Sequence, residues 1–355
     1  MSDRPYILWL DDPAASKNPI LGGKFSSLAE STAAGLAVPP GFGITTHAYR
    51  DFMEAAGLVE EAARVRKACA DLDPEHIAKE TVALIHGILN APLPEALETA
   101  VRTAYDALET RTAANVPVAV RSSGESEDLA GASFAGQYET YLWITGADAL
   151  LQHMRKCWAG MYGDAVLSYK HDGESVISKG DFGICVGIQQ MVQARAAGVM
   201  FTLDPITGDR SKIAIESCWG LGEGVVKGDI TPSQFTVDKV TLKLLKSKIS
   251  HQTEEYRFDT ESGGVDLFPV NDGRQDSPCL SQADAVALAI LAKRIEKDRG
   301  APQDIEWAIG ANGDIAVLQV RPETVWSSKE AKPVLKVTSP INHVLMRMSG
   351  GGAKG

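Results

Sequence analysis

Hydrophobic positions change their spacing near the middle of the chain. Between Thr46 and about Ala114, apolar residues recur three or four apart, with breaks near Pro74 and Pro92–Pro94, and this predicts a series of helices. Before them, Tyr6–Leu10 reads as a short strand, and Gly22-Gly23-Lys24 opens an Ala-rich helical segment reaching about Gly35. Pro39-Pro40-Gly41 breaks that segment, and Phe42–Thr45 reads as a second strand. Val116–Arg121 is a compact β-branched run leading into a polar, glycine-containing stretch, Ser122–Gln137. Tyr138–Ile144 predicts a strand and Asp148–Tyr169 two helices.

Beyond Gly183 the texture becomes that of a sheet. Ile184–Val192, Ala197–Leu203, Ile213–Ser217, Gln234–Val237 and Leu242–Ile249 are short apolar segments parted by Gly, Pro and Asp turns. Ser262–Ser277 is polar and turn-rich and is expected to be an exposed loop. A helix over Ser281–Arg299 leads to two strands, Asp304–Ile309 and Ile315–Arg321, joined as a hairpin by the Gly310–Gly313 turn. The residues ending in Ser349-Gly350-Gly351-Gly352-Ala353-Lys354-Gly355 read as a tail. The expected class is α+β, with lobes at 1–190 and 191–326 and a tail at 327–355.

Length and composition narrow the function. A chain of 355 residues suits two lobes sharing a cleft. No apolar run approaches the roughly 20 residues that span a bilayer, and the N-terminus lacks the long apolar core of a signal peptide. Five cysteines stand scattered without a CxxC pair, which fits reduced thiols in a cytoplasmic protein better than a disulfide frame or structural zinc. A net charge of −11 with no Lys/Arg block disfavours nucleic acid as a partner. A local positive cluster for a nucleotide is still compatible with that balance.

Five patterns gather glycine, charge and amides in ways that a packed core does not require. Lys24, just inside a helix start, can place its ammonium beside exposed N–H groups and so hold an anion. The segment is not a Walker A loop, because Asn18 and Phe25 occupy the required glycine and hydroxyl positions. A solvated helix-start lysine would look the same. Arg121 ends an apolar strand and is followed by Ser122 and Ser123, a placement that suits either a bidentate phosphate contact or a strand-end salt bridge. Gly131–Gln137 is small and glycine-flanked, able to close as a lid over phosphates or to be a plain turn. Gly198–Pro205, with the three glycines and acid of Gly220–Gly224, could admit a sugar or adenine at close range. Finally, alternation puts Asp304 and Glu306 on one strand face, and Gln319 and Arg321 on one face of the next. Two acids and an amide are oxygen ligands of the kind Mg²⁺ prefers, although a cross-strand salt-bridge ladder has the same pattern.

In order, GGKFSSLAE, VAVRSSGESEDLAGASFAGQYETYL, GVMFTLDPITGD, GLGEGVV and DIEWAI…LQVRPET resemble the nucleotide-binding part of the phosphoenolpyruvate synthase, pyruvate phosphate dikinase and rifampicin phosphotransferase family, over roughly residues 20–326. The resemblance implies an ATP-grasp fold, two lobes clamping Mg·ATP. It implies that Lys24, Arg121 and Arg321 meet phosphates, that Asp304 and Glu306 form the acidic pair, and that Glu306 and Gln319 hold Mg²⁺. Ser133, Gly136 and Gln137 fall in its glycine-rich lid, Gln190, Met191 and Val192 at its adenine-contacting hinge, and Glu223 near the ribose.

One departure shapes the expected function. Family members continue into a swivelling domain whose histidine takes the phosphate in a Gly-Gly-x-Thr-Ser/Cys-His-like setting. None of the seven histidines here (His47, His76, His86, His153, His171, His251, His343) has that context. The resemblance then implies a split dikinase, like phenylphosphate synthase. In that arrangement this chain cleaves ATP to AMP and phosphate and passes the β-phosphoryl group to a histidine on a partner subunit. The partner would bind the small acceptor, with phenol the leading candidate. Two other readings stay open: a self-contained ATP-grasp kinase or ligase yielding ADP, and a non-catalytic nucleotide sensor.

Overall fold

A computed structural model describes residues 4–69, 74–124, 140–168, 170–171, 174–175 and 183–326. Two antiparallel sheets dominate it. The first runs in the order β1 (Ile7–Trp9), β2 (Gly41–Ile44), β7 (Ile184–Gln190), β3 (Val118–Gly124), β4 (Thr140–Ile144). The second runs β11 (Leu244–Lys248), β10 (Ser233–Asp238), β9 (Lys212–Trp219), β8 (Ala194–Phe201), β14 (Gln303–Gly310), β15 (Ile315–Pro322). Two further strands, β5 (Lys170–His171) and β6 (Glu174–Ser175), pair with each other. The α+β class expected from the sequence is what these sheets and their helices build.

Strand alternation decides what each face of the first sheet does. Val118 and Val120 of β3 and Ile184, Val186 and Ile188 of β7 point into a core with α2 (Thr46–Ala55), α3 (Val59–Cys69), α4 (Pro74–Asn90), α5 (Glu95–Arg111), α6 (Ala147–Gly160) and α7 (Asp164–Leu167). Trp158 is fully buried there and stacks on Phe52 with ring centroids 4.9 Å apart. The intervening residues Ala119, Arg121, Gly187 and Gln189 lie on the other face. On the second sheet α9 (Gln282–Arg299) covers Ile305, Trp307, Ile309, Val317 and Val320. A Ser281–Asp284 capping box starts α9, and Gly300, at φ 71°, stops it.

Helix α1 (Gly22–Ala33) packs tightly against the first sheet because two glycines face it. A Cβ at Gly43 would come within 2.2 Å of Leu21, and one at Gly187 within 1.7 Å of the Phe25 ring. These glycines pair directly across β2 and β7, forming one groove for Leu21 and Phe25. Gly22, at φ 65°, brings the start of the helix against the Ser123 backbone. Ser123 Oγ accepts the Phe25 N–H at 3.2 Å and donates to Leu21 O at 2.8 Å. The hydroxyl that follows Arg121 by two residues is thus a helix clamp. The same helix also reaches the second sheet. Ser27 Oγ donates to Val320 O at 2.7 Å, and the largely buried Arg299 pairs with Glu30 and donates to Ser27 O.

The stretch 262–277, expected to be a loop, contains a strand. β13 (Gly264–Pro269) pairs with β12 (Glu254–Asp259) in a two-stranded ribbon. Tyr256 and Phe258 share one face with Val265 and Leu267, while Glu255, Arg257, Asp259 and Asp266 lie on the other, so the ribbon alternates; the Gly, Asp and Ser residues around the short β13 hide that pattern. Arg257 lies over the Phe268 ring at 4.2 Å, an order set by cross-strand contact rather than by burial.

The groove beneath α1 makes a direct prediction. Gly187→Ala should lower stability by about 1–3 kcal/mol through overpacking of Phe25. Combined with Phe25→Leu, it should cost less than the sum of the two single changes, because the smaller side chain vacates the contested space. Denaturant midpoints of the four proteins measure this, and strict additivity would contradict the contact.

Candidate active site

A cleft lies between the two sheets. Its walls come from β3, β4 and β7 on one side and from β8, β14, β15 and α8 (Glu223–Lys227) on the other. Arg121 crosses it. From β3 its guanidinium donates to Leu318 O at 3.0 Å, Glu306 Oε2 at 2.8 Å and Gln319 Oε1 at 3.0 Å. The Arg121 and Glu306 side chains are only 13% and 18% exposed, so this is a largely buried ion pair. Its charges are tolerable there because each is directly met.

The hairpin presents these acceptors through its register. Asp304 pairs with Arg321 and Glu306 with Gln319, so all four side chains share one face. The next pair is Trp307 with Val317, which leaves Leu318 as a bulged, unmatched residue. A bulge releases a carbonyl from the ladder. Here the Leu318 carbonyl meets Arg121.

A second charge pair lies beside the first. Arg321 donates Nε and Nη2 to Asp304 Oδ2 at 2.7 and 2.6 Å. Asp304 Oδ1 is buried without a hydrogen-bond partner, as is Arg121 Nε. Burial raises the Asp304 pKa above the ordinary carboxylate value; Arg321 opposes the shift, while Glu306 and Glu323 reinforce it. Burial also pushes Glu306 upward, but Arg121, with help from Arg321 and Lys24, more than compensates and holds it below the usual range. Lys24, half-buried in the first turn of α1, is therefore close enough for its field to reach Glu306.

The structure gathers most of the residues singled out from sequence at this cleft. Arg121, Glu306, Gln190, Met191, Val192 and Glu223 line it. Gln319 joins through Arg121, Asp304 and Arg321 through the adjacent rungs of the hairpin, and Lys24 through Glu306. Glu223 is held by Lys227 at 3.0 Å. Ser133, Gly136 and Gln137 lie outside the described residues.

Sequence reasoning passed over Ala119, Leu142, Gln189 and Leu318 in the cleft, and the acid Glu323 beside Asp304. The signal for Ala119 and Gln189 was alternation, since each shares a strand face with a position already singled out or with Gly187. Leu318 was hidden because only the bulge turns it toward the cleft.

The donors fit a hard divalent cation bound together with phosphates. Glu306 and Gln319 offer oxygens only, and Asp304 adds an unsatisfied buried oxygen next to them. Among the described residues no group of three or more His, Cys, Asp or Glu could hold a metal ion. Such a cation would therefore need ligand oxygens from elsewhere, which suits Mg²⁺, a metal usually held by one or two carboxylates plus phosphate.

Residues 18–340 match the family described as the pyruvate phosphate dikinase AMP/ATP-binding domain. The chain belongs to this family. It is similar to a probable phosphoenolpyruvate synthase of Staphylothermus marinus, 36% identical over 363 residues that cover 93% of this chain and 42% of that protein. The phosphoenolpyruvate synthase of Aeropyrum pernix is 36% identical over 382 residues, covering 97% of this chain and 46% of its own length. The prodigiosin synthesizing transferase PigC of Serratia marcescens is 39% identical over 314 residues, 88% of this chain and 32% of that protein. The chain thus spans less than half the length of these curated relatives. Among solved structures, D-alanyl-alanine synthetase A from Vibrio cholerae aligns over 91% of this chain and 60% of its own, at 10% identity and a TM-score of 0.32, a likeness too slight to bear on the site. Among the described residues no helix is long and apolar enough to cross a membrane.

The Arg121–Glu306 pair invites a double-mutant cycle. Arg121→Met should cost about 3–5 kcal/mol, because it strands the Glu306 charge in a largely buried site. Glu306→Gln added to it should recover much of that loss, since a neutral amide no longer needs the guanidinium. Urea titrations at neutral pH give the cycle directly. Equal losses in the single and double variants would show that Glu306 reaches solvent without Arg121.

Proposed function

We propose that this chain is the Mg·ATP-binding part of a dikinase, and that the histidine receiving the phosphoryl group lies outside residues 1–355 on a separate subunit. The observation that carries the reading is the convergence of Lys24, Arg121 and Arg321 with Glu306, Gln319 and Asp304 on one cleft of an AMP/ATP-binding family member. Three cations are what a polyphosphate needs, and the acids and amide are what its magnesium needs.

In this reading the adenine enters beside Gln190, Met191 and Val192, with the ribose toward Glu223. Arg121, Arg321 and Lys24 take the phosphate oxygens and neutralise the charge that spreads over them during transfer. Glu306 and Gln319 would hold Mg²⁺, which when bound would neutralise and polarise the phosphates. Arg121 already holds the Glu306 and Gln319 oxygens, so binding requires its guanidinium to turn toward the phosphates or to share those acceptors.

The chemistry follows the family reaction. A histidine nitrogen of the partner attacks the β-phosphorus in line, its bond to the α–β bridging oxygen breaks, and AMP leaves. The histidine then carries both outer phosphates. Water removes the γ-phosphate as inorganic phosphate, and the remaining phosphoryl group passes to a small acceptor bound by the partner. Phenol is our candidate, by resemblance to phenylphosphate synthase.

The test begins with binding. A non-hydrolysable ATP analogue should titrate into the chain with magnesium present, and no heat under those conditions would sink the cleft assignment. Glu306→Ala or Gln319→Ala should reduce partner-dependent turnover at least tenfold at limiting Mg²⁺, with little loss of folded protein. Added histidine subunit should yield AMP and retain label from β-³²P-ATP but not from γ-³²P-ATP. ADP as product, with stable γ-label, would overturn the dikinase chemistry. Stable label on this chain would overturn the split arrangement.

A further inference from the structure

A second cavity opens among the helices and shares no lining residue with the cleft. It measures about 460 Å³, within the size range of small-molecule pockets, and is bounded by α2, the start of α3 and Tyr162. Its buried wall is a pair of phenols. Tyr49 and Tyr162 are 3% and 1% exposed, and their hydroxyl oxygens lie 2.7 Å apart. Arg66 donates Nη1 to the Tyr162 oxygen at 3.3 Å.

Proton accounting gives this pair a property that packing alone does not require. Burial raises the pKa of both phenols, so at neutral pH each keeps its proton. One of the two protons lies in the O···O bond, whichever residue donates. The Arg66 contact cannot accept the other, because a guanidinium only donates. The remaining hydroxyl proton is thus left without an acceptor among the bonds these residues make. Leaving a buried donor unmatched costs about 1–3 kcal/mol, and both tyrosines line the cavity from which an acceptor can approach.

The rest of the lining indicates what kind of acceptor fits. Arg66 makes no ion pair among the described residues, so its charge is available beside the phenols. Met53, Val59 and Ala62 supply apolar wall. Three arginines (Arg4, Arg50, Arg66) are balanced by three acids (Asp51, Glu54, Glu60), which leaves no surplus positive charge for a dianion. We propose that this cavity binds a small organic monocarboxylate. Its carboxylate accepts the spare phenolic proton and the Arg66 N–H groups, and its apolar body rests on Met53, Val59 and Ala62.

The proposal is independent of the cleft, and its test keeps the two apart. With the cleft saturated by a non-hydrolysable ATP analogue and magnesium, acetate, 3-methylbutanoate and benzoate are titrated calorimetrically into the full chain, with inorganic phosphate as the dianion control. At least one carboxylate should bind saturably and more tightly than phosphate. Its affinity should fall about tenfold or more in Arg66→Gln, which changes only a half-buried side chain, and in Tyr162→Phe. Tyr49→Phe serves in place of Tyr162→Phe if that variant does not fold. No saturable binding by any of the three, phosphate binding as tight as the best carboxylate, or unchanged affinity in Arg66→Gln would each overturn the proposal.

Discussion

The site depends on one guanidinium held between two sheets. Arg121 leaves the first sheet and ends on three acceptors of the second, a carboxylate, an amide and a carbonyl. A charge this far from water must be met directly, and a single arginine fork can meet three acceptors only if they are fixed in place. The hairpin fixes them by its register and by the Leu318 bulge. The spacing of the two sheets across the cleft and the positions of Glu306 and Gln319 are therefore set together. A lysine could not replace Arg121 here, because one ammonium on a flexible stem does not span acceptors on two successive residues of β15 and one of β14.

Helix α1 gives the clasp its second tie. Glycines at 43 and 187 let Leu21 and Phe25 seat into the first sheet, and the Ser123 hydroxyl fixes the helix start two residues beyond Arg121. The other flank of α1 is tied to β15 and α9 through Ser27, Glu30 and Arg299. Lys24 and Arg121 are thereby placed by neighbouring contacts rather than by two separate loops. Sites built on regular elements hold their geometry better than sites built on loops, and the cations here stand on a helix and two strands. Trp143 of β4, at φ 61°, stacks on Phe258 of β12 at 4.9 Å, joining the strand at one edge of the cleft to the β12–β13 ribbon.

Elements whose periodicity reports burial on one face could be read from the residues alone. The helices from Thr46 onward, the strands of both sheets and the Asp304–Arg321 hairpin were legible because apolar residues repeat with the period of the backbone. Alternation alone also put Asp304 on a shared face with Glu306, and Gln319 with Arg321. The β12–β13 ribbon was missed although Tyr256, Phe258, Val265 and Leu267 share one face, because β13 is a short strand set among the Gly, Asp and Ser residues of 262–277. Which of the paired polar residues meet across the cleft, that Ser123 clamps a helix, and that Leu318 leaves the ladder to face Arg121 emerge only once the chain is packed. Packing alone brought Tyr49 and Tyr162, far apart in the chain, into hydrogen-bond contact. The reason is physical: local periodicity records which way a side chain faces, whereas a contact between distant strands depends on register, bulges and helix seating. Those are set by packing over the whole fold and leave no local pattern of their own.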